Sequence, residues 1–425
     1  MQSRDQIQLE VKRFDNLKTW RKNWETDWEQ IALMMMPWRA DFITQRSPGD
    51  RHRYRHQYDG TAPNAIDVLS GHMHTNLTSP SMRWFEMEYR QDELNDNDAA
   101  KEWLEECGDR MMGAINDSNF VVSIGETYED LIAFGTGCLE TGQRTEDGFE
   151  LVFRLHPLNT VVISEDHNRR VDTVYIEAQY TARQAKAKWP EARIPKVEQA
   201  LKQAPDRKIT FLRAVKPNPK YKPGLKIERP DQRPIMATWI CKGDLLEIEE
   251  QFYYELPYQV PRWKTSSAEI WGHGLGIKAI PDVMTLNESK RLALRSWEKA
   301  IDPPLMGEAD GIIGDLHLEA GGYTKCRDTN AIKPLADQAN WQAHQLNVED
   351  MRSSIQSIFF IDQLIVPERP NQTATEVTIR YEMMQKMLGS TMGRLQSELL
   401  DPMIQRVFNM MFRAGQFGEP PQEVK

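Results

Sequence analysis

Three groups of residues in this chain have types that could do chemistry: a glycine-rich pentapeptide, a histidine pair and a glutamate cluster. The pentapeptide GHGLG, residues 272–276, could wrap a phosphate, but no Lys-Ser/Thr follows it, so the pattern indicates a turn. His72 and His74 are two residues apart on a predicted helix. That spacing points them to different helix faces, which argues against a shared metal ion.

The glutamate cluster, Glu247, Glu249 and Glu250, could hold the metal ion of a nuclease or hydrolase. These residues lie on a predicted strand, where acidic side chains usually form a solvated face, and no second cluster with basic residues accompanies them. We therefore predict that the protein is not an enzyme, with no catalytic residues, no cofactor and no metal site.

The charge balance argues against a protein that grips nucleic acid. The 425 residues include 63 Asp and Glu but 53 Lys and Arg, a net charge of −10. Tight DNA binding usually relies on an excess of cationic side chains that neutralise phosphates. The one basic stretch, RSPGDRHRYRHQYDG from Arg46, is interpreted as a solvated loop rather than a DNA contact.

The cysteines and the hydropathy indicate a reducing compartment. Cys107, Cys138, Cys241 and Cys326 are far apart and form no CxxC pair, which predicts buried free thiols. No apolar run reaches the roughly 18 residues of a membrane span, and the N-terminus lacks an apolar signal core. We expect a protein that is made in a cytoplasm and has no membrane segment.

The first part of the chain, residues 1–265, has the pattern of a mixed α+β body. Apolar residues at helical spacing predict helices over residues 1–36, 62–78, 97–116 and 120–134. Alternating residues around Asp147-Gly148 predict a hairpin. Further strands are predicted at 160–164, 171–179, 208–216, 234–242 and 245–254, with a short helix at 181–189.

Long helices follow this body. One predicted helix presents Ile277, Ile280, Met284, Asn287, Arg291, Leu294 and Ile301 on one face. A small segment with two strand-like pieces precedes a second helix, marked by Trp341, His344, Val348, Met351, Ile355 and Ile358. A third helix, from about residue 374, carries the apolar stripe Val377, Tyr381, Met384, Leu388, Met392, Leu395 and Leu399. We expect Pro402 to kink or restart this helix, Asp401 to cap it and Gly415 to end it.

A stiff polar loop separates the second and third helices. Pro367 and Pro370 resist helix formation, and Thr373 and Glu376 have the spacing of a capping box that starts the third helix. The sequence therefore predicts a sharply bounded, exposed loop.

This order of parts resembles the bacteriophage portal proteins, in particular the head-to-tail connecting proteins of podophages. The resemblance is carried by four stretches that together span residues 59–415. They are DGTAPNAIDVLSGHMHTNLTSPSMRWFEM, DSNFVVSIGETYEDLIAFGTGCLE, GHGLGIKAIPDVMTLNESKRLALRSWEKAIDPP and NQTATEVTIRYEMMQKMLGSTMGRLQSELLDPMIQRVFNMMFRAG.

The resemblance implies a division of the chain into the parts of a portal subunit. Residues 1–265 would be the wing, 266–301 the first stem helix, 302–337 the clip and 338–361 the second stem helix. Residues 362–373 would hold the tunnel loop, 374–415 a long kinked helix towards the crown, and 416–425 a tail that leaves the crown short or truncated.

The resemblance also implies two functional sites. The tunnel loop would face the DNA channel with Ile365, Val366, Pro367, Glu368, Arg369, Pro370, Asn371 and Gln372. The clip would contact the packaging motor and the tail with Leu305, Glu308, Asp310, Asp315, His317, Glu319, Tyr323 and Lys325.

The implied function is a ring of twelve subunits at one capsid vertex of a virion, assembled in a bacterial cytoplasm. Double-stranded viral DNA would pass through it without sequence-specific binding during packaging and ejection. The implied protein partners are the terminase large subunit, which would hydrolyse the ATP, tail adaptor proteins, and the major capsid or scaffold protein. An acidic channel would let DNA slide, because it avoids the salt-sensitive grip of a basic one.

Two alternative functions remain at this point. A different virion structural protein, such as a tail adaptor or an internal core protein, would share the acidic composition, but adaptors are usually much shorter. A metal-dependent nuclease or hydrolase would use the acids of the strand region, but no motif supports it.

Overall fold

The computed structural model describes residues 4–44, 51–144, 148–301, 305–307, 332–334, 341–364, 386 and 388–421. Its fold class is α+β, as predicted. The helices are α1 Arg4–Met35, α2 Thr61–Leu77, α3 Asp92–Asn95, α4 Asp98–Asn116, α5 Phe120–Phe134, α6 Ala182–Lys188, α7 Pro195–Gln203, α8 Leu275–Ile301, α9 Trp341–Ile358, α10 Ile361–Leu364, α11 Ser390–Leu395 and α12 Asp401–Arg413. The strands are β1 Leu139–Arg144, β2 Glu150–Leu155, β3 Val161–Glu165, β4 Val171–Thr181, β5 Lys208–Pro217, β6 Ile235–Cys241, β7 Leu246–Tyr253, β8 Tyr258–Gln259, β9 Leu305–Gly307 and β10 Ile332–Pro334.

The N-terminal helices begin and end at residues with clear local reasons. Pro37 follows α1 and cannot continue its hydrogen-bond ladder. The Asn97 side chain accepts a hydrogen bond from the backbone N–H of Ala100 at 3.1 Å and so caps α4. The helix α5 ends at Gly135, whose φ of +86° is a left-handed conformation that glycine adopts without strain.

A five-stranded antiparallel sheet, in the order β3-β4-β5-β6-β7, forms the outer part of the body. Its two faces are buried against different helices, because side chains alternate along a strand. Leu212 and Ile240 pack with Phe14 of α1 on one face. Their neighbours Phe211 and Trp239 pack with α6 and α7 on the other. The helix α7 was not predicted from sequence.

A smaller sheet, in the order β2-β1-β8, connects this region to the main core. The predicted hairpin is present, with Leu139 opposite Leu155, and its residues 145–147 lie outside the described part of the chain. The two-residue strand β8 pairs with β1 and was missed, because two residues give no alternation to read.

The helices α8 and α9 form an antiparallel pair. The Ser354 hydroxyl lies 2.9 Å from a carboxylate oxygen of Asp282, which places the end of α9 beside the first half of α8. The buried face of α8 contains Leu275, Ala279, Val283, Leu286 and Asn287. The predicted face is therefore correct in part: Asn287 is buried and Ile277 and Ile280 pack against the core, whereas Met284, Leu294 and Ile301 are exposed.

The C-terminal helices correct two expectations. A single helix from residue 374 through Leu400 is not formed, because Gly389 has a φ of +49° and α11 begins after it. Asp401 does not act as a cap, since Leu400 before it already has a helical backbone. A π-helical turn at Gln396–Leu400 shifts the hydrogen-bond register just before Pro402, whose missing N–H it helps to accommodate. The stripe residues Leu388, Leu395 and Leu399 are buried as predicted.

The other composition-based expectations concern thiols and membranes. Cys107, Cys138 and Cys241 are buried and free, as predicted, and Cys326 lies outside the described residues. Among the helices of the described ranges, none has both the length and the apolar character that crossing a membrane requires.

Candidate functional site

Most of the predicted site residues fall in parts of the chain outside the described residues. All eight tunnel-loop residues, 365–372, are among them. So are seven of the eight clip residues: Glu308, Asp310, Asp315, His317, Glu319, Tyr323 and Lys325. Only the backbone of Leu305 is described, in β9. The candidate site is therefore defined by the elements that flank these two segments.

The residues that flank the segment 308–331 lie side by side. The strands β9 and β10 are antiparallel, with Leu305 opposite Pro334 and Gly307 opposite Ile332. These are the two strand-like pieces that the sequence predicted between α8 and α9. Along the chain, β9 follows the end of α8 and β10 precedes the start of α9.

Both ends of the segment 365–385 are also anchored. Before it, Phe359 and Ile361 are buried in the main core. After it, Leu388 and Leu395 enter the same core. The guanidinium of Arg262 holds the following π-helical turn, since Nη2 donates to Glu398 Oε1 at 2.6 Å while Nη1 pairs with Glu165. The predicted tunnel loop is thus bounded on each side by packed helices.

The start of α8 is fixed by a cluster of glycines that we call the glycine junction: Gly135, Gly272, Gly274 and Gly276. A Cβ atom on Gly272 would lie 2.0 Å from the Gly135 carbonyl oxygen. One on Gly276 would lie 2.3 Å from the Ala133 carbonyl oxygen. The GHGLG pentapeptide therefore packs its backbone directly on the end of α5, a role that the prediction of a simple turn did not include.

A buried carboxylate, Asp59, joins the two helices of the pair. It lies 2.5 Å from Lys290 Nζ on α8 and 3.1 Å from Arg352 Nη2 on α9. Burial opposes ionisation of this group, but hydrogen bonds from Lys290 and Thr61 outweigh it and lower the Asp59 pKa to about 2. Asp59 is therefore a charged bridge at neutral pH.

Asn287 fastens α8 to the chain just before Asp59. Its side-chain oxygen accepts the Tyr58 N–H at 2.6 Å, and its amide donates to the His56 carbonyl. The basic stretch around these residues thus has a partly structural role, whereas sequence reasoning treated it as a solvated loop. The signal that could have found this contact is a lone Asn among apolar residues on a helix.

Beyond Asn287, α8 carries an exposed apolar face. It consists of Leu294, Trp297 and Ile301, whose exposed fractions run from 50 to 85%, and Leu292, two residues before Leu294, lies on another side of the helix. Contiguous large apolar side chains in water usually mark an interaction surface rather than a free one. This face lies between the anchored start of α8 and the β9–β10 pair.

Two glutamates of the cluster considered as a metal site have other roles. Glu247 is buried, and Glu249 accepts a hydrogen bond from the Trp189 indole N–H at 2.9 Å, so the expected solvated acidic face is wrong for these two residues. No group of three or more His, Cys, Asp or Glu that could hold a metal ion occurs among the residues that the structure describes.

Comparison with known proteins gives the family of this chain. The sequence model of the family described as "Bacteriophage head to tail connecting protein" matches residues 8–425. The "Probable portal protein" of Bordetella phage BPP-1 is 26% identical over 436 residues, covering 100% of this chain and 78% of that protein. The "Portal protein" of Salmonella phage epsilon15 is 25% identical over 428 residues, covering 97% of this chain and 75% of that protein. With nearly the whole sequence matched, the chain belongs to the bacteriophage head to tail connecting protein family.

Proposed function

We propose that twelve copies of this chain form a closed ring at one capsid vertex and that viral DNA passes through its centre during packaging and ejection. The ring would be assembled in the bacterial cytoplasm and would become part of the virion. The terminase large subunit, and later the tail adaptors, would dock at residues 302–337. The major capsid or scaffold protein would surround the ring.

The observation that carries this proposal is the exposed apolar face of α8. Leu294 and Ile301 lie on one side of the helix and are exposed in the single chain, although the same helix is firmly anchored at its start. A second copy that covers this face would remove it from water, at roughly 25 cal/mol per Å² of apolar surface. Repeating one contact between unlike surfaces around an axis closes a ring.

The elements that flank the two predicted contact segments support the channel. The β9–β10 pair flanks residues 308–331, and helices packed in the main core flank residues 365–385. In a closed ring, each segment would become a circle of identical segments around one axis. Residues 365–372 would form the inner circle and contact the sliding DNA.

Support for a non-enzymatic role comes from the family and from the uses of the candidate acids. Glu247 is buried and Glu249 binds the Trp189 indole, so these two carboxylates serve packing. ATP turnover would belong to the docked terminase.

The test is the mass and shape of the purified protein, measured by light scattering and negative-stain microscopy. We expect particles of about 590 kDa with a central hole, twelve times the 49.4-kDa chain. The double variant Leu294→Asp/Ile301→Asp should keep its helical spectrum and lose the ring, because it places charges where two copies meet. The control, Val122→Asp, changes an exposed apolar residue of α5 and should leave the ring intact.

Two outcomes would contradict the proposal. A wild-type protein that stays a monomer at every concentration, with and without capsid protein, would remove the ring. Wild-type rings together with unchanged rings of the double variant would keep the ring but show that the α8 face is not its contact.

A further inference from the structure

A second pair of surfaces on the chain has complementary shape and charge. One is an apolar groove of about 1390 Å³ between residues 75–90 and the C-terminal helices. Its walls include Met82, Trp84, Phe85, Phe408 and Phe412. Met82 and Phe412 are about half exposed. An apolar groove of this size usually has an occupant.

Part of the groove wall belongs to an acidic segment, residues 86–109, which contributes Glu86, Glu88 and Arg90 to the lining. This segment holds ten Asp and Glu but two Lys and Arg, and all ten acids are exposed. Within the described ranges, ion pairs use two of them: Asp109 with Arg83 and Glu106 with Arg110. Glu86 and Glu88, which line the groove itself, form none there. Of the two arginines in the groove wall, Arg83 is paired with Asp109. The exposed acids of the segment still outnumber its cations, which favours an occupant that is apolar in its centre and basic around it.

A loop of the same chain has this composition. Residues 219–229, which we call the basic loop, connect β5 to β6 and hold four Lys and Arg but one Glu. Leu225 near its tip is 65% exposed. Lys220, Lys222 and Lys226 surround it; all three are exposed, and none pairs with an acid among the described residues.

The basic loop is held in a fixed shape by its base. The Asn218 side chain donates to the carbonyls of Asp231 and Arg233 at 2.8 and 2.7 Å. Arg233 in turn donates to the Phe252 carbonyl at 3.0 Å on β7. Pro219 and Pro223 restrict the backbone further. A loop that is ordered before binding loses less entropy when it docks.

We propose that the basic loop of one subunit docks in the apolar groove of the next subunit, with Leu225 in the groove and its lysines against the acidic segment. A second copy is the favoured occupant because one chain carries both halves of the contact, and two different patches on one chain generate rings. Opposite charges would also orient the approaching subunits before they touch. This inference rests on the proposed ring and adds a specific contact between its subunits.

The first experiment is a disulfide trap in the full chain with Leu225→Cys and Met82→Cys together. After mild oxidation of assembled protein, we expect a ladder of covalent multimers on a non-reducing denaturing gel. Each single variant should give no ladder. Rings without a ladder would overturn the contact while leaving the ring proposal intact. A monomer cross-linked to itself would overturn it as well, because the groove would then hold its own loop.

The second experiment reverses the charges. We expect Lys220→Glu/Lys222→Glu/Lys226→Glu to raise the protein concentration needed for half-assembly by about tenfold at low salt. Combining it with Glu86→Lys/Glu88→Lys should restore most of the loss. Added salt should reduce the difference between wild type and the triple variant. Unchanged assembly of the triple variant, or no rescue by the lysines, would overturn the proposed contact.

Discussion

The two halves of α8 differ in how far the rest of the chain buries their apolar side chains. The first half ends at Asn287; Leu275, Ala279, Val283 and Leu286 are buried by the rest of the chain, and the glycine junction fixes where the helix starts. In the second half, Leu294 is half exposed and Ile301 is 85% exposed. The first half of α8 therefore contributes to the stability of the fold, and the second half contributes to a surface. Substitutions in the two halves should therefore change the stability of the chain and the assembly of subunits separately.

The largest expected effect is on the glycine junction. Gly272→Ala should destabilise the chain by about 3 kcal/mol, because the new Cβ would lie 2.0 Å from the Gly135 carbonyl oxygen, a backbone atom that cannot yield as a flexible side chain would. Urea unfolding followed by Trp fluorescence measures it. Gly113→Ala is the matched control, since a Cβ there meets no heavy atom within 4 Å and Gly113 lies inside α4. Equal effects of the two variants would show that the junction is not tightly packed.

A matched pair of leucines tests the two halves directly. Leu286 is 1% exposed and Leu294 is 50% exposed on the same helix. Leu286→Ala should cost about 2.5 kcal/mol of unfolding free energy, since it leaves a cavity. For Leu294→Ala we expect a change of less than about 0.5 kcal/mol in the unassembled chain. Similar losses in the two unassembled variants would mean that the halves do not differ in this way.

Asp59 binds α8 near the boundary between its two halves, and the contribution of this carboxylate to folding stability should depend on pH. Its folded pKa of about 2 lies below the ordinary value of 3.8. Its charged form therefore stabilises the fold above about pH 4, and this contribution is lost as pH falls towards 2. Asp59→Asn should cost about 2 kcal/mol at pH 7 and progressively less below pH 4. Thermal unfolding of both proteins across this range measures the difference, and a loss that is constant with pH would rule out the charged bridge.

Sequence patterns predicted the elements of the fold more reliably than their contacts. The positions of α1, α4, α5 and β3 to β7 were confirmed to within a few residues, because the residue patterns that mark a helix or a strand are local. The helix break at Gly389 was missed, because one glycine inside a long apolar pattern is usually tolerated.

Contacts between distant residues could not be predicted in the same way. Asp59 meets Lys290 and Arg352 only after the chain has folded, and no spacing in the sequence reports this. The small residues on the buried side of α8 were also missed: Gly276 meets the Ala133 carbonyl and Ala279 is buried, but neither is a large apolar residue that marks a helix face in the sequence. The tunnel-loop residues 365–372 and the clip residues stay predictions.

The β9–β10 pair has a consequence for how relatives of this chain can diverge. Because β9 and β10 pair with each other, the residues just before and just after residues 308–331 are held together. Lengthening such a segment costs little, about 0.6 kcal/mol for each doubling of its length. Evolution can therefore exchange this segment for one of another size or sequence, and the helices beneath it need not change.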